Sequence, residues 1–294
     1  GDAVEFTAVL DCVQIPDEIK LGKCSGVGVD AQGRVFLLHR GKHPVLCFDK
    51  SGKFLRSFGD DYVAMGHGLK VDRPGNIWVT CTEHHMVYKF DADGKLLLAI
   101  GQIDKPGLGT DPPQFDQPTD VAVGPQGEIY VADGYGNSRV MKFDAGGNFL
   151  RTWGTAGSGP GEFDLPHTIA VGPDRRVYVG DRFNDRIQIF DREGDLQQIW
   201  SGFTPCGMDF DRQGKLFVVD GVSKVLQIGA AGEIVKSWGC EPEELGLTAG
   251  QRSVPPIQDP GGFRFVPHLM AAAGDGSLYL ADVADRMLFK LQRK

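Results

Sequence analysis

Three histidines stand at equivalent positions of an internal repeat, and their spacing could build a metal site. The first β run of the six copies ends at Asp30, Asp72, Gly124, Gly172, Asp211 and Ala273. The residues five positions upstream are Ser25, His67, Thr119, His167, Cys206 and His268. Imidazoles from alternate copies of a ring would meet near its axis, and three His ligands with an open fourth position are typical of catalytic zinc. We therefore predict zinc, or another divalent transition metal, on His67, His167 and His268.

Two cationic side chains and one phenol are predicted at the same end of this ring. Arg40, Tyr135 and Arg182 lie ten or eleven residues beyond the strand end of their copies, in a loop that opens on the same face as the start of the first strand. Arginine binds carboxylates through a fork, and a phenol beside a metal and a guanidinium can have a pKa low enough to act as a base. We expect Tyr135 and Arg40 to be catalytic, and Arg40 and Arg182 to bind an anionic substrate.

The remaining four histidines lie outside this column. His39 and His43 flank Arg40, and His84 and His85 lie in a turn between two strands. We expect these four side chains to lie at the surface or to support the site without binding the metal.

Short β strands must position all of these residues. Each copy contains four runs rich in Val, Ile, Phe and Tyr with Gly turns between them, and the copies begin at Gly26, His67, Pro118, Pro166, Cys206 and Pro267. Sheets of four such strands bury both faces only when they pack radially, which predicts an all-β, six-bladed β-propeller. We predict one domain, residues 1–294.

The two ends of the chain are expected to complete one blade together. The last copy reaches Lys294 after only three strands, whereas the β-like run 4–10 belongs to no copy. We expect this run to add the missing outer strand and close the ring. Two Pro- and Gly-rich connections, 102–117 and 240–265, exceed ordinary loop lengths and are expected to cover one mouth of the channel.

Composition argues against several function classes. The net charge of −8, with no basic block, makes nucleic acid an unexpected partner. No apolar run approaches the roughly 18 residues of a membrane-spanning helix, so we expect no membrane insertion. The six cysteines include no Cys-x-x-Cys pair, which argues against a cysteine zinc site. The cytoplasm is the favoured compartment, with a secreted mature chain as the alternative, and the oligomeric state is left open.

Several segments around these residues resemble the motifs of one enzyme family. They are HRGKH around Arg40, MGHGL around His67, QPTDVAV and ADGYGNSR before and around Tyr135, LPHTIAV around His167, VGDRFNDRIQIF around Arg182 and VPH at His268. Over nearly the whole chain, they look like the peptidyl-α-hydroxyglycine α-amidating lyases, which are propellers of NHL repeats. The resemblance implies zinc on three histidines, a tyrosine base and substrate-binding arginines, at the six residues just named. The reaction it implies cleaves an N-acyl-α-hydroxyglycine to an amide and glyoxylate.

The chain departs from this family at three positions. Val266 replaces a Met, Leu269 replaces an Asp that helps to hold a structural calcium, and Gly136 replaces a Cys that forms a disulfide. Structural calcium is therefore not expected. A small anionic α-hydroxy-amide is at least as suitable a substrate as a peptide.

A zinc-dependent carbon-nitrogen lyase is the favoured function, and two alternatives stay open. A lactonase-like propeller hydrolase would use the metal to activate water, although such enzymes usually place Asp, Glu and Asn around calcium. A non-catalytic NHL interaction module would bind protein or RNA on one face, although it needs no ring of histidines and, for RNA, requires a basic face.

Overall fold

The computed structural model describes residues 4–221, 224–239, 266–284 and 286–294. Within these ranges the chain forms six antiparallel sheets of four strands each, arranged as the blades of a β-propeller. This confirms the predicted all-β, six-bladed architecture. In each blade the first strand lines the central channel and the last one lies at the outer edge.

The first three blades follow one another along the chain. Blade 1 contains β2 (Cys24–Val29), β3 (Val35–His39), β4 (Val45–Phe48) and β5 (Phe54–Phe58). Blade 2 contains β6 (Gly66–Val71), β7 (Ile77–Cys81), β8 (Met86–Phe90) and β9 (Leu96–Gly101). Blade 3 contains β10 (Asp120–Val123), β11 (Ile129–Asp133), β12 (Arg139–Phe143) and β13 (Phe149–Trp153).

The other three blades complete the ring. Blade 4 contains β16 (Pro166–Val171), β17 (Val177–Asp181), β18 (Arg186–Phe190) and β19 (Leu196–Ser201), with the 3-10 turn Arg182–Asn184 after β17. Blade 5 contains β20 (Pro205–Phe210), β21 (Leu216–Asp220), β22 (Lys224–Ile228) and β23 (Ile234–Gly239). Blade 6 contains β24 (Pro267–Ala272), β25 (Leu278–Asp282), β26 (Met287–Arg293) and β1 (Phe6–Val9). Between blades 3 and 4, β14 (Thr155–Ala156) and β15 (Glu162–Phe163) form a short parallel pair.

The N-terminal strand closes the ring, as the sequence predicted. Strand β1 pairs antiparallel with β26, with Phe6 opposite Arg293 and Val9 opposite Lys290. Blade 6 therefore takes its inner three strands from the end of the chain and its outer strand from the beginning. The closure gives blade 6 the four strands of the other blades and joins the two ends of the chain in one sheet.

The hydrophobic core lies between the blades. Buried apolar residues form six clusters in the described part of the chain, one at each junction of neighbouring blades. Phe36 of blade 1 and Phe90 of blade 2, for example, share the cluster at the first junction and are fully buried. Burial of each such ring contributes about 1.5–3 kcal/mol. The inner strands are thereby fixed relative to one another, which a site built from several blades requires.

Tight turns connect the first two strands of each blade at the end of the channel opposite the histidines. In five blades the fourth residue after the first strand is a glycine with positive φ, such as Gly33 at 80° and Gly75 at 95°. Glycine adopts this left-handed conformation without steric cost. Blade 4 carries Arg175 there, with φ of 64°. Within the described residues, no helix is long and apolar enough to span a membrane.

Candidate metal centre and active site

Three histidines meet at one mouth of the central channel. His67, His167 and His268 lie near the starts of β6, β16 and β24, the inner strands of alternate blades. All three side chains are buried. Their ring centroids are 4.5–4.9 Å apart, and one ring nitrogen of each lies within 4.8 Å of the other two. The structure thus brings together the three predicted ligand residues.

Each imidazole is held by a backbone carbonyl of the next blade. A carbonyl oxygen only accepts hydrogen bonds, so Nδ1 carries the proton and donates it, and Nε2 keeps its lone pair. The Nδ1–O distances are 2.6 Å from His67 to Thr119, 2.6 Å from His167 to Cys206 and 2.7 Å from His268 to Ser25. The three acceptors are the residues that occupy the histidine position in the other three blades.

The three imidazoles are neutral near pH 7. Burial lowers the pKa of His67 and His167 well below the usual value, and neighbouring imidazoles and guanidinium groups lower it further. Burial likewise lowers the pKa of His268 to about 4, against the opposing hydrogen bond to Ser25. Neutral imidazole is the form that binds metals.

These residues fit a divalent metal ion. Their Nδ1–H groups donate to carbonyls, which is the usual outer contact of a metal-bound histidine because it fixes both the tautomer and the ring orientation. Three nitrogen ligands and no fourth protein ligand are the donor set of catalytic zinc sites. Within the described residues, His67, His167 and His268 form the one group of His, Cys, Asp or Glu side chains that could hold a metal.

Tyr135 lies directly beside the histidines. Its hydroxyl is 3.0 Å from Nε2 of His67 and 3.4 Å from Nε2 of His167. Burial raises the pKa of Tyr135 above its usual value, and the charges of Arg40 and Arg182 oppose this rise. The sequence predicted a lowered pKa for a phenol beside both a metal and a guanidinium. The two guanidiniums act in that direction, and a bound metal would add a further positive charge.

The two predicted arginines belong to blades on opposite sides of the ring, and the charges of both affect the histidine cluster. The guanidinium of Arg40, in blade 1, donates from Nε to the carbonyl of Gly66 at 3.2 Å. Arg182, in blade 4, starts the 3-10 turn and lies with its guanidinium carbon 5.7 Å from the ring centroid of Phe183. Both positive charges lower the histidine pKa values.

A repeated backbone contact places these side chains at the mouth. In every blade the loop after the second strand donates a backbone N–H to the carbonyl two residues before the histidine column. The pairs are Arg40 to Lys23, Thr82 to Met65, Tyr135 to Gln117, Arg182 to Leu165, Gly221 to Thr204 and Val283 to Val266. The interval of ten or eleven residues in the sequence therefore reaches one structurally equivalent position, as predicted.

The connection 102–117 supports the Tyr135 loop. Arg139 donates to the carbonyls of Gly107, Leu108 and Gln114 in this connection, and Gly136 donates its N–H to the carbonyl of Asp116 at 2.9 Å. The connection therefore lies at the mouth that contains the histidines. The other long connection, 240–265, lies outside the described residues.

The remaining histidines take no part in the cluster. His39 is fully buried, accepts the N–H of Gly22 at Nδ1 and contacts the carbonyl of His43 through Nε2, so it supports the start of the Arg40 loop. His43 pairs with Asp60 and His84 with Asp104. His85 lies 3.4 Å from Asp116 and accepts the N–H of Gln117. The five described cysteines are Cys12, Cys24, Cys47, Cys81 and Cys206, and all are free.

Comparison with protein families identifies NHL repeats. The NHL repeat family matches residues 115–143 and 163–190, which cover parts of blades 3 and 4. The chain is 34% identical over 212 residues to NHL repeat-containing protein 3 of Mus musculus, an alignment that covers 66% of this chain and 60% of that protein. The chain is thus a β-propeller with NHL repeats.

Other relatives carry names of amidating enzymes. The chain is 32% identical over 163 residues to peptidyl-glycine alpha-amidating monooxygenase A of Xenopus laevis, covering 46% of this chain and 17% of that protein. It is 60% identical over 42 residues to a probable peptidyl-alpha-hydroxyglycine alpha-amidating lyase of Caenorhabditis elegans, covering 14% of this chain and 12% of that protein. The chain spans less than a fifth of the length of these two relatives.

Solved structures with the same fold include enzymes. A streptogramin B lyase superposes with a TM-score of 0.68 and 19% identity, over 98% of both chains. A gluconolactonase from Xanthomonas campestris superposes with a TM-score of 0.66 and 17% identity, over 94% of this chain and 87% of that one. At this identity the similarity shows the fold alone.

Proposed function

We propose that this chain is a zinc-dependent carbon-nitrogen lyase that cleaves an N-acyl-α-hydroxyglycine, or a similar carbinolamide, into an amide and glyoxylate. The observation that carries this proposal is the phenol of Tyr135, 3.0 Å from Nε2 of His67 in a cluster of three neutral histidines. Another divalent transition metal could replace zinc on the same three nitrogens.

The charges at the mouth favour a lyase over a hydrolase. A metal-dependent hydrolase activates water at the metal, commonly with a carboxylate as the general base. The groups that act on the cluster include a phenol and two guanidiniums, while the buried carboxylate of Asp120 already accepts the Thr168 hydroxyl and the Ile169 N–H. Guanidinium groups suit a substrate that carries a carboxylate, and a phenol suits proton transfer at a hydroxyl.

The protein's residues can move one proton without any water. A metal on the three Nε2 atoms would supply a Lewis acid that polarises the substrate hydroxyl and lowers the pKa of Tyr135. Arg182 would bind the substrate carboxylate through its fork, and the Nη groups of Arg40 would stabilise the tyrosinate or the same carboxylate. Tyr135 would take the hydroxyl proton while the C–N bond breaks and its electron pair passes to nitrogen. The same phenol would then return the proton to that nitrogen, giving the neutral amide and the aldehyde acid.

The surface around the mouth favours an apolar acyl group on the substrate. Among the residues that the structure describes, the exposed large apolar side chains lie in two regions. One set lies in outer strands: Leu55, Leu97, Leu150, Ile199 and Ile234. The other lies in the loops of the histidine mouth: Tyr62, Met65, Ile103, Leu108, Tyr135, Phe183 and Val266. When the carboxylate and hydroxyl of a substrate are bound at the polar site, its acyl group would extend outwards and contact this second set of residues.

The experiment is turnover of N-benzoyl-α-hydroxyglycine by the metal-loaded protein in H₂¹⁸O. We expect release of glyoxylate and of benzamide without ¹⁸O, at a rate above the spontaneous breakdown measured without protein. A His167→Ala variant is the matched control without a complete ligand set. The carbonyl of glyoxylate exchanges with water, so only the acyl product is counted.

Three results would contradict the lyase. Incorporation of ¹⁸O into benzoate would mean that water attacks the acyl carbon, as in a hydrolase. Rapid turnover of δ-lactones with none of the carbinolamide would favour the lactonase-like alternative. A protein that binds no metal and turns over neither class would favour the interaction module.

A further inference from the structure

The residues that alternate with the three histidines form a second set of contacts. The Ser25 hydroxyl donates to the carbonyl of Gly66 at 2.8 Å. The Thr119 hydroxyl makes its shorter contact, 2.7 Å, with the carbonyl of Pro166, and the carbonyl of Ala132 in its own blade is a second acceptor at 3.0 Å. Gly66 and Pro166 are the residues immediately before His67 and His167. Each of these two hydroxyls therefore holds the backbone of the next blade where a candidate ligand begins.

The same two residues also hold the preceding histidine. The carbonyl of Ser25 accepts Nδ1–H of His268, and the carbonyl of Thr119 accepts Nδ1–H of His67. The Thr119 carbonyl accepts in addition the hydroxyl of Thr80 at 2.9 Å. Each residue thus binds one imidazole through its backbone and the strand of the next imidazole through its side chain.

These contacts run in one direction around the mouth. They pass from His268 to Ser25, from Ser25 to the strand of His67, from His67 to Thr119 and from Thr119 to the strand of His167. His167 continues the series to the carbonyl of Cys206. Within the described residues the Cys206 thiol makes no hydrogen bond of the kind that the two hydroxyls make. Two of the three junctions are therefore linked by a hydroxyl and the third is not.

Burial makes the two hydroxyl contacts consequential. Ser25 and Thr119 have no exposed surface, and His67 and His167 have none either. Removal of the Ser25 hydroxyl would leave the Gly66 carbonyl with the Arg40 Nε donor alone, and removal of the Thr119 hydroxyl would take a donor from the Pro166 carbonyl, in both cases in a site closed to solvent. The backbone affected is the one that orients an imidazole towards the metal. Small displacements of that backbone would change the ligand geometry and weaken metal binding.

We propose that Ser25 and Thr119 are positioning residues for the metal. They constrain the distances between the Nε2 atoms by linking the strands of His67 and His167 to the hydrogen-bond acceptor of the preceding histidine. This inference rests on the proposed function, since it requires the three histidines to bind a metal. It assigns a role to residue types in the column that carry no metal-binding chemistry of their own.

The test measures metal affinity and ligand geometry rather than turnover. Zn²⁺ affinity is obtained by competition with a chromophoric chelator, and the visible absorption of the Co²⁺-substituted protein reports the coordination geometry. We expect Thr119→Val and Ser25→Ala each to bind Zn²⁺ about 10-fold or more weakly, within the 10- to 100-fold range typical of residues that orient metal ligands, and to alter the Co²⁺ spectrum. Thr119→Ser keeps the hydroxyl and should restore both properties.

Thr152→Val is the matched control. The Thr152 hydroxyl also donates to a backbone carbonyl, that of Val140 at 2.9 Å, in the outer strand of the blade that contains Thr119. This variant should bind Zn²⁺ like the unmodified protein. Thermal unfolding of each variant shows whether it is folded, and Ser25→Ala provides the measurement if Thr119→Val does not fold.

The outcomes separate this inference from the proposed function. If the unmodified protein binds Zn²⁺ and both variants bind it as tightly, with unchanged Co²⁺ spectra, the positioning role is wrong and the lyase proposal stands. If Thr152→Val loses as much affinity as Thr119→Val, the effect is general destabilisation and the positioning role is again wrong. If the unmodified protein binds no divalent metal, the metal assignment fails and this inference fails with it.

Discussion

Replacement of Tyr135 by Phe removes one oxygen atom from the mouth of the propeller. Within the described residues, this oxygen forms its hydrogen-bonding contacts with imidazole nitrogens, at 3.0 Å from Nε2 of His67 and 3.4 Å from Nε2 of His167. The ring of Tyr135 is 42% exposed, so it contributes little to the core. We expect Tyr135→Phe to retain the fold and the metal and to lose most of its turnover.

The size of the loss follows from the role of the phenol. A positioned general base contributes about 10²- to 10⁴-fold to the rate, which corresponds to about 2.7–5.4 kcal/mol of transition-state stabilisation. Folding stability should change by less than about 1 kcal/mol, because the hydroxyl is at the mouth and its loss leaves no buried backbone group unpaired. A large fall in kcat with a small change in unfolding temperature is therefore the expected combination.

The assay compares kcat, KM and metal content of three proteins. Tyr62→Phe is the matched control, because Tyr62 also lies on a loop of this mouth, is 36% exposed and packs on Tyr88 and Phe90. We expect it to behave like the unmodified protein. Full activity of Tyr135→Phe with normal metal content would show that Tyr135 is not the general base and that another group takes the proton. Loss of metal in Tyr135→Phe would mean instead that the phenol is a ligand.

Three further predictions concern the metal, the substrate and the loop. The unmodified protein should contain about one divalent transition metal per chain by elemental analysis, and a variant with His67, His167 and His268 all replaced by Ala should contain none; equal metal content in both proteins would place the metal elsewhere. Arg182→Lys should raise KM about 10- to 100-fold, because lysine lacks the fork that binds a carboxylate, whereas Arg73→Lys at the opposite mouth should leave KM unchanged. Gly134→Ala should lower both metal affinity and kcat, since a Cβ there would overlap the carbonyl oxygen of Pro166, while Gly146→Ala in an exposed turn of the same blade should alter neither.

The sequence predicted the architecture and the residues of the candidate site because both repeat with the blades. Alignment of the six copies at the end of their first strand was enough to find the histidine column and the loop position of Arg40, Tyr135 and Arg182. The reason is that the same backbone hydrogen bond recurs in all six blades. Ring closure by the N-terminal run followed from a missing strand. These inferences need only periodicity and the packing of short strands.

Contacts between blades could not be predicted in this way. The carbonyl acceptors of the histidines lie 39 to 243 residues away in the chain, and no local pattern reports them. The acceptors nevertheless occupy the column positions of Ser25, Thr119 and Cys206, so the alternation in the sequence did contain their signal. The pKa of Tyr135 also required the structure, because burial raises it while the charges of Arg40 and Arg182 lower it. The burial of a loop residue is not evident from its type.

Alternation in the column has a physical reason that links the fold to the chemistry. Six imidazoles at one level would compete for the same space near the axis. With a histidine in every second blade, each Nδ1–H donates to the backbone carbonyl of the intervening blade, so a six-fold scaffold yields a three-fold set of candidate ligands. One of these contacts, from His268 to Ser25, crosses the junction between blade 6 and blade 1. The inner strands of these two blades, β24 and β2, pack together there, and Ala271 and Val27 share the apolar cluster of the junction. The first and last repeats of the chain therefore meet at the candidate metal site, so the set of three histidines and their acceptors is complete only in a closed ring.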